Sequence, residues 1–265
     1  MKTVYAQRSE RVSALLQKIL DEGFNEDNVH DIRTSIRRLQ SAFKVLPRSI
    51  RKKKSFGRYV DSCTNLFKAL SEVRDCDVVL SLLSKYPKEN EALKVVRSFV
   101  IKKRTNLAER TRKRVFFLEG LKKPQIRDFP ESTFSKRYET RLEKQAKKVK
   151  DNLSVVWIGK AKKKEIHELR IDCKKFRYAL ELDQKAHEKQ LKVLKDWQGY
   201  LGTIHDIEMT KEILRKANTT GALDSIIRSE EINSVRNYDS FIRKSKAEAS
   251  LVINLIPSSN VTKAG

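Results

Sequence analysis

The chain has 265 residues, and its 58 Lys and Arg outnumber 34 Asp and Glu, giving a formal net charge of +24. That excess exceeds what solubility needs and differs from the balanced Lys/Arg/Glu surface of a thermophile, so it predicts a polyanionic partner. With 39% hydrophobic residues, global disorder is excluded and a buried core is expected.

Only 8 Gly and 5 Pro interrupt the chain, which favours long helices. Apolar periodicity predicts a first helix over 3–21 that stops at Gly23, and a second from near Asn25 to before Pro47. Helices are predicted next over 56–72, 75–84 and 88–119, with breaks near Arg74 and at Pro87. Residues 120–132, with Gly120, Pro124 and Pro130, read as a linker. Beyond it come helices over 133–153, 162–183, 187–201, 204–217 and 224–255, and the tail from 257 to 265 reads as disordered. No strand pattern competes, so the fold class is all-α.

Cys63, Cys76 and Cys173 lack C-x-x-C spacing and read as reduced, buried thiols of a cytosol-like compartment. No segment approaches the roughly 20 apolar residues needed to span a bilayer, and the N-terminus carries no apolar leader. A soluble cytoplasmic protein without membrane association is expected.

Three segments recur in order. Tyr5-x-x-Arg8-x-x-Arg11 matches Tyr138-x-x-Arg141-x-x-Lys144 at an offset of 133. His30-Asp31-x-Arg33-x-x-x-Arg37-Arg38 matches His167-Glu168-x-Arg170-x-x-x-Lys174-Lys175 at 137. Leu70-x-x-Val73-Arg74-Asp75-x-Asp77 matches Leu201-x-x-Ile204-His205-Asp206-x-Glu208 at 131. Such spacing predicts a tandem repeat of a four-helix unit, with repeats over about 3–119 and 133–255 related by a pseudo-two-fold axis.

Helical geometry gives the second segment its meaning. At about 100° per residue, Arg33 and Arg37 fall within about 60° of His30, while Arg38 lies about 80° to the other side. Val29, Ile32, Ile36, Leu39 and Phe43 form the opposite, core-facing stripe. In the second copy His167, Arg170 and Lys174 share a face with Tyr178 beside them, over a stripe of Ile166, Leu169, Cys173, Phe176 and Leu180. Solvated helix faces usually mix Glu with Lys, whereas these are almost purely cationic. Arg supplies a planar fork for phosphate oxygens, Lys a mobile charge, and His a donor whose protonated form a bound anion favours. The two faces are expected to line one shared basic groove.

Arg8, Arg11, Arg141 and Lys144 are candidates for additional anion contacts, although their spacing also suits a helix that packs its tyrosine and keeps its charges in water. Tyr178 reads equally as a ligand donor or a packed ring. Asp75 and Asp206 read as helix N-caps, or as carboxylates that orient an Arg of the cationic helix. Four unmatched basic runs, at 51–54, 102–104, 112–114 and 162–164, read as a general electrostatic halo. His187 reads as a surface or capping residue.

The doubled H-x-x-R-x-x-x-[RK]-[RK], each copy followed by L-x-x-x-x-D-x-[DE], resembles the CHAD family, the conserved-histidine α-helical domain. Lys174-Lys175-Phe176-Arg177-Tyr178-Ala179-Leu180-Glu181 is close to its wording, and the resemblance spans about residues 3–255. It implies two pseudo-symmetric four-helix bundles with a basic central cavity that binds inorganic polyphosphate, and a place at polyphosphate granules. The chain resembles the stand-alone form, without the triphosphate-tunnel (CYTH) domain that supplies catalysis in fused members. Ligand contacts carry over to His30, Arg33, Arg37, Arg38, His167, Arg170, Lys174, Lys175 and Arg177. Gln40 stands where the second copy has Arg177, and His205 where the first has Arg74, so the first face departs from the pattern.

Non-enzymatic polyphosphate binding is therefore the leading expectation, with no cofactor and no metal. Non-specific nucleic-acid binding is second, since charge supports it equally but no recognition module is evident. A phosphoanhydride-processing enzyme is third, because no glycine-rich phosphate loop or clear carboxylate set for Mg²⁺ is visible. Metal binding by His30, His167 and His205 is weakest: no H-x-x-x-H spacing occurs, and cations surround them.

Overall fold

Glycine, proline and asparagine mark the helix ends much as their chemistry dictates. In a computed structural model describing residues 2–87, 90–126, 129–159, 163–218 and 220–254, α1 (Lys2–Glu22) ends where Gly23 takes φ +82° and donates its N–H to Ile19 O at 2.9 Å. That left-handed residue is a position at which a side chain would be strained. After it, α2 (Glu26–Val45) starts under an Asn25 cap that accepts from Asn28 N at 2.8 Å, an interaction worth about 1 kcal/mol. Pro47 follows its end.

The remaining helices are α3 (Arg48–Arg51), α4 (Lys54–Leu83), α5 (Glu91–Glu119), α6 (Glu131–Trp157), α7 (Lys163–Leu180), α8 (Glu188–Ala217) and α9 (Asp224–Ile253), with a 3₁₀ turn at Lys185–His187. Among the described residues there is no strand. Lys162 and the tail expected at 257–265 lie outside the described residues.

Two expected breaks do not exist. The spans expected at 56–72 and 75–84 merge into one helix, α4, which ends at Leu83, and those expected at 187–201 and 204–217 merge into α8, which begins at Glu188. Asp75 and Asp206 therefore sit inside helices and cap neither. The reason is packing: Leu66, Leu70, Val73, Cys76, Val79 and Leu83 form an unbroken buried stripe through the supposed turn. Leu194, Trp197, Leu201, Ile204, Ile207 and Leu214 do the same in α8. A continuous apolar face outweighs the capping preference of one Asp.

The chain divides into two compact units. The first comprises the described residues of Met1–Phe134 and His205–Ser234. Here α1 packs on α2 and α5, α2 on α4, and α4 on α5, closing a four-helix ring. Its core holds Leu16, Ile19, Ile32, Ile36, Leu39, Tyr59 and Leu66. A second core in this unit joins Val79, Leu83, Leu93 and Val96 to Leu214, Leu223, Ile226 and Ile227.

The second unit comprises the described residues of Ser135–Ile204 and Val235–Gly265, and so draws on α6, α7 and parts of α8 and α9. Trp197 is fully buried against Phe241, ring centroids 6.0 Å apart, and its indole N–H donates to Glu248 Oε2 at 3.0 Å. Trp157 Nε1 donates to Ser245 Oγ at 2.9 Å, and Gln198 Nε2 to Cys173 O at 3.0 Å. Trp197 thus buries its apolar body, and both indoles satisfy their polar atom. The architecture is all-α, in two units like four-helix bundles.

All three cysteines are buried and free, and burial pushes the Cys63 thiol up to about 12.

Candidate functional site

The amphipathic reading of α2 holds in three dimensions. Val29, Ile32, Ile36, Leu39 and Phe43 are buried, His30 and Arg38 exposed, and Arg33 and Arg37 half-buried. Arg33 and Arg37 lie over the Phe67 ring of α4, their guanidinium carbons 5.3 and 4.6 Å from its centroid. Arg33 Nη2 also donates to Ser71 Oγ at 3.3 Å. Each stack is worth about 0.5–1 kcal/mol, enough to orient a guanidinium without tying it down.

His30 belongs to this group. Partial burial, then the charges of Arg74 and Arg33, lower its pKa from the ordinary value, against opposing pulls from Asp31 and Asp27. Arg74, from α4, donates to Glu26 Oε1 at 2.6 Å. Phe67 and Ser71 were missed by sequence reasoning, which named Arg74 only within the third repeated segment. Phe67 and Ser71 share a face at i,i+4 spacing, and the supposed break near Arg74 separated only Arg74 from them.

Arg38 faces elsewhere. Together with Arg8 and Arg11 of α1 it lines a groove between α1 and α2 of about 230 Å³. Arg8 Nη1 donates to Arg38 O at 2.7 Å, and Arg11 Nη2 lies 3.7 Å from Asp31 Oδ2.

The second unit repeats the pattern with changes. On α7, Leu169, Cys173, Phe176 and Leu180 are buried as expected, whereas Ile166 is only half-buried. His167 is exposed beside half-buried Arg170 and Lys174. Partial burial and the charges of Arg170, Lys174 and Lys163 lower its pKa, with Glu168 opposing. Lys175 leaves this face and donates to Asp172 Oδ1 at 3.1 Å, while Asn152 Nδ2 donates to Asp172 Oδ2 at 3.0 Å. Arg141 of α6 is half-buried; desolvation lowers its pKa and the charge of Asp172 resists that. Lys144 is exposed. Arg177 lies 5.0 Å over the Tyr178 ring and 3.5 Å from Glu181 Oε1. Gln40, its counterpart, donates to Thr64 Oγ1 at 3.1 Å.

The tyrosines are core residues. Tyr5 is 5% exposed, and Tyr138 and Tyr178 are each 8% exposed. Tyr5 donates its hydroxyl to Pro124 O at 3.0 Å, and Tyr138 packs 6.2 Å from the ring of half-buried His187.

Asp77 of α4 is a further carboxylate that grips arginines beside the first face. Its Oδ1 accepts from Arg104 Nε at 2.5 Å, and Oδ2 lies 4.0 Å from Arg74. Arg104 Nη2 reaches Phe24 O at 2.6 Å, between α1 and α2. Arg104, read in sequence as part of a halo, is thus a half-buried staple. The rest of that run, Lys102 and Lys103, is exposed, as is the whole run at 51–54. Among the described residues no group of three or more His, Cys, Asp or Glu is arranged to hold a metal ion, and no helix is long and apolar enough to cross a membrane.

The CHAD domain profile matches residues 7–215, which hold both histidine motifs and both cationic faces. The chain belongs to the CHAD family. It is similar to the crystal structure of the CHAD domain from the plant Ricinus communis, with a TM-score of 0.59 and 17% sequence identity over 97% of this chain and 91% of that one. At that identity the likeness to the plant CHAD domain carries the fold alone. No curated protein sequence matches the chain.

Proposed function

We propose that this CHAD protein is a tandem duplication, with repeats at about 3–119 and 133–255 joined by a linker at 120–132, whose cationic faces on α2 and α7 bind inorganic polyphosphate without turning it over. In this reading His30, Arg33 and Arg37 act on one face and His167, Arg170 and Lys174 on the other. Arg38, Lys175 and Arg177 flank them, and the protein works in the cytoplasm at polyphosphate granules. The observation that carries the reading is the doubled face itself: two helices in one chain each present a histidine and two cations at helical spacing on one side.

A phosphate polymer offers evenly spaced charges with no bases to be read, which suits a site made of guanidinium forks and amines. Non-specific single-strand binders place aromatic rings among their cations for base stacking. The three tyrosines nearest these faces are buried, and Phe67 lies beneath two arginines. That favours polyphosphate over nucleic acid as the partner.

Competition decides between them. Polyphosphate should displace a charge-matched single-stranded RNA, and affinity should climb with chain length. With about six cations engaged, affinity should fall by about two to three orders of magnitude as salt rises from about 50 to about 200 mM. RNA binding as tightly as polyphosphate at equal charge would overturn the assignment. Release of orthophosphate in the presence of Mg²⁺ would replace binding with catalysis.

A pH dependence follows from the histidines. In the free protein both pKa values are lowered, and a bound polyanion raises them, so binding takes up protons. Affinity for a long chain should therefore strengthen as pH falls from about 7.5 to about 5.5, by about tenfold for each unit through which a histidine is shifted. The free protein should behave oppositely. A pKa below the unfolded value contributes stability above that value and loses it as pH falls through the folded one. Calorimetry in buffers of different ionisation enthalpy measures the proton uptake, and the H30Q/H167Q chain should show little.

A further inference from the structure

The grooves beside the two faces are built differently. Between α1 and α2, Arg8, Arg11 and Arg38 surround Thr34 and Ser35, with Asp31 as the one carboxylate on the lining. At the repeat offsets 133 and 137 these positions become Arg141, Lys144, Lys175, Ile171, Asp172 and Glu168. Three cations are kept in both copies, but the second loses both hydroxyls and gains a buried carboxylate. That carboxylate, Asp172, already holds Lys175 and Asn152.

Taking the phosphate class from the reading above, we propose that the α1–α2 groove is a separate subsite for one phosphoryl group, and that Asp172 closes the equivalent position beside α7. Three guanidiniums offer forked donors to a tetrahedral oxyanion, and the hydroxyls of Thr34 and Ser35 add donors at the groove floor. The volume of about 230 Å³ holds several waters or one such anion. The Arg11–Asp31 pair, 3.7 Å apart with both side chains about half exposed, is a weak surface contact that an incoming dianion can replace. Asp172 has no such freedom, being buried and doubly bonded. In this proposal the two cationic faces are similar but the groove beside the first is the one that takes phosphate, which gives the protein a preference for a chain end or a free phosphate in its first half.

The test uses the full chain carrying R33A/R170A, so that the helix faces are weakened first, and titrates it with tripolyphosphate and with orthophosphate. Binding of about one tripolyphosphate should persist in that background. It should weaken at least tenfold on adding R11Q, and as much on adding S35D, which copies the second groove. R11Q alters an exposed side chain and keeps the test valid if S35D perturbs folding. Orthophosphate competing as well as tripolyphosphate marks free phosphate as the ligand; tripolyphosphate alone marks a chain end, and either upholds the subsite. Absence of binding in the R33A/R170A background, or affinity unmoved by R11Q, overturns it. Long-chain affinity unaltered by R33A/R170A would instead count against the helix faces and leave the R11Q result to judge the groove.

Discussion

Polyphosphate affinity should drop by at least about a hundredfold when Arg33 and Arg170 are both changed to alanine. Each is the central cation of its face, one helical turn from the histidine. A charge-assisted hydrogen bond contributes about 1.5–3 kcal/mol, so losing two removes about 3–6 kcal/mol, and each 1.4 kcal/mol is about tenfold. The remaining cations soften the loss, because a polymer can shift its phosphates along the protein. Single variants should lose less than the pair. Replacement by Lys keeps the charge but not the fork, and should fall between wild type and Ala. Arg33 also stacks on Phe67 and bonds Ser71, so circular dichroism and melting must show a native fold before binding is compared. A folded double variant with wild-type affinity would remove these faces from the function.

Changing Asp77 to alanine should destabilise the protein by about 3–5 kcal/mol, lowering the melting temperature by about 10 °C. The carboxylate is 4% exposed and holds Arg104, which in turn anchors Phe24 O. Removing it strands a guanidinium in a poorly solvated place, which costs more than the pair contributes when intact. The D77L/R104M pair, with both charges gone, should recover much of the loss, because breaking a buried pair is worse than replacing it. Thermal denaturation of the three chains measures this. A D77A chain melting within a degree or two of wild type would show the staple to be dispensable.

The same site has a pH signature. Burial raises the Asp77 carboxyl above the ordinary carboxylate range, against the pulls of Arg104 and Arg74. R104A removes the larger pull, so the folded pKa moves up further. Because it then lies above the unfolded value, stability is retained at low pH and lost as pH rises through the folded pKa. The R104A defect should therefore be greater at about pH 8 than at about pH 4.5.

Much of this molecule is written in local spacing. Val29, Ile32, Ile36 and Leu39 recur at helical intervals, and any helix containing them must turn His30, Arg33 and Arg37 outward. Gly23 and Asn25 stop one helix and start the next through their own backbone chemistry, and the doubled histidine motif identifies the family. Arg74-Asp75 misled because Asp favours helix starts, and that preference is visible in sequence whereas the pressure of a neighbouring helix is not.

The flanks of each face were settled only by the folded chain. An α-helical repeat specifies which side of a helix a residue occupies, but not which helix covers that side. Arg38 and Lys175 leave the histidines because α1 runs beside Arg38 and Asp172 claims Lys175. Phe67 and Ser71 support Arg33, and Arg104 supports Asp77, across separations of 27 to 38 residues. Those contacts come from the burial of whole helix surfaces against one another, a cooperative, long-range effect. Local pattern thus set the two cationic sides, and packing decided which of their charges serve as supports and which stay together at the surface.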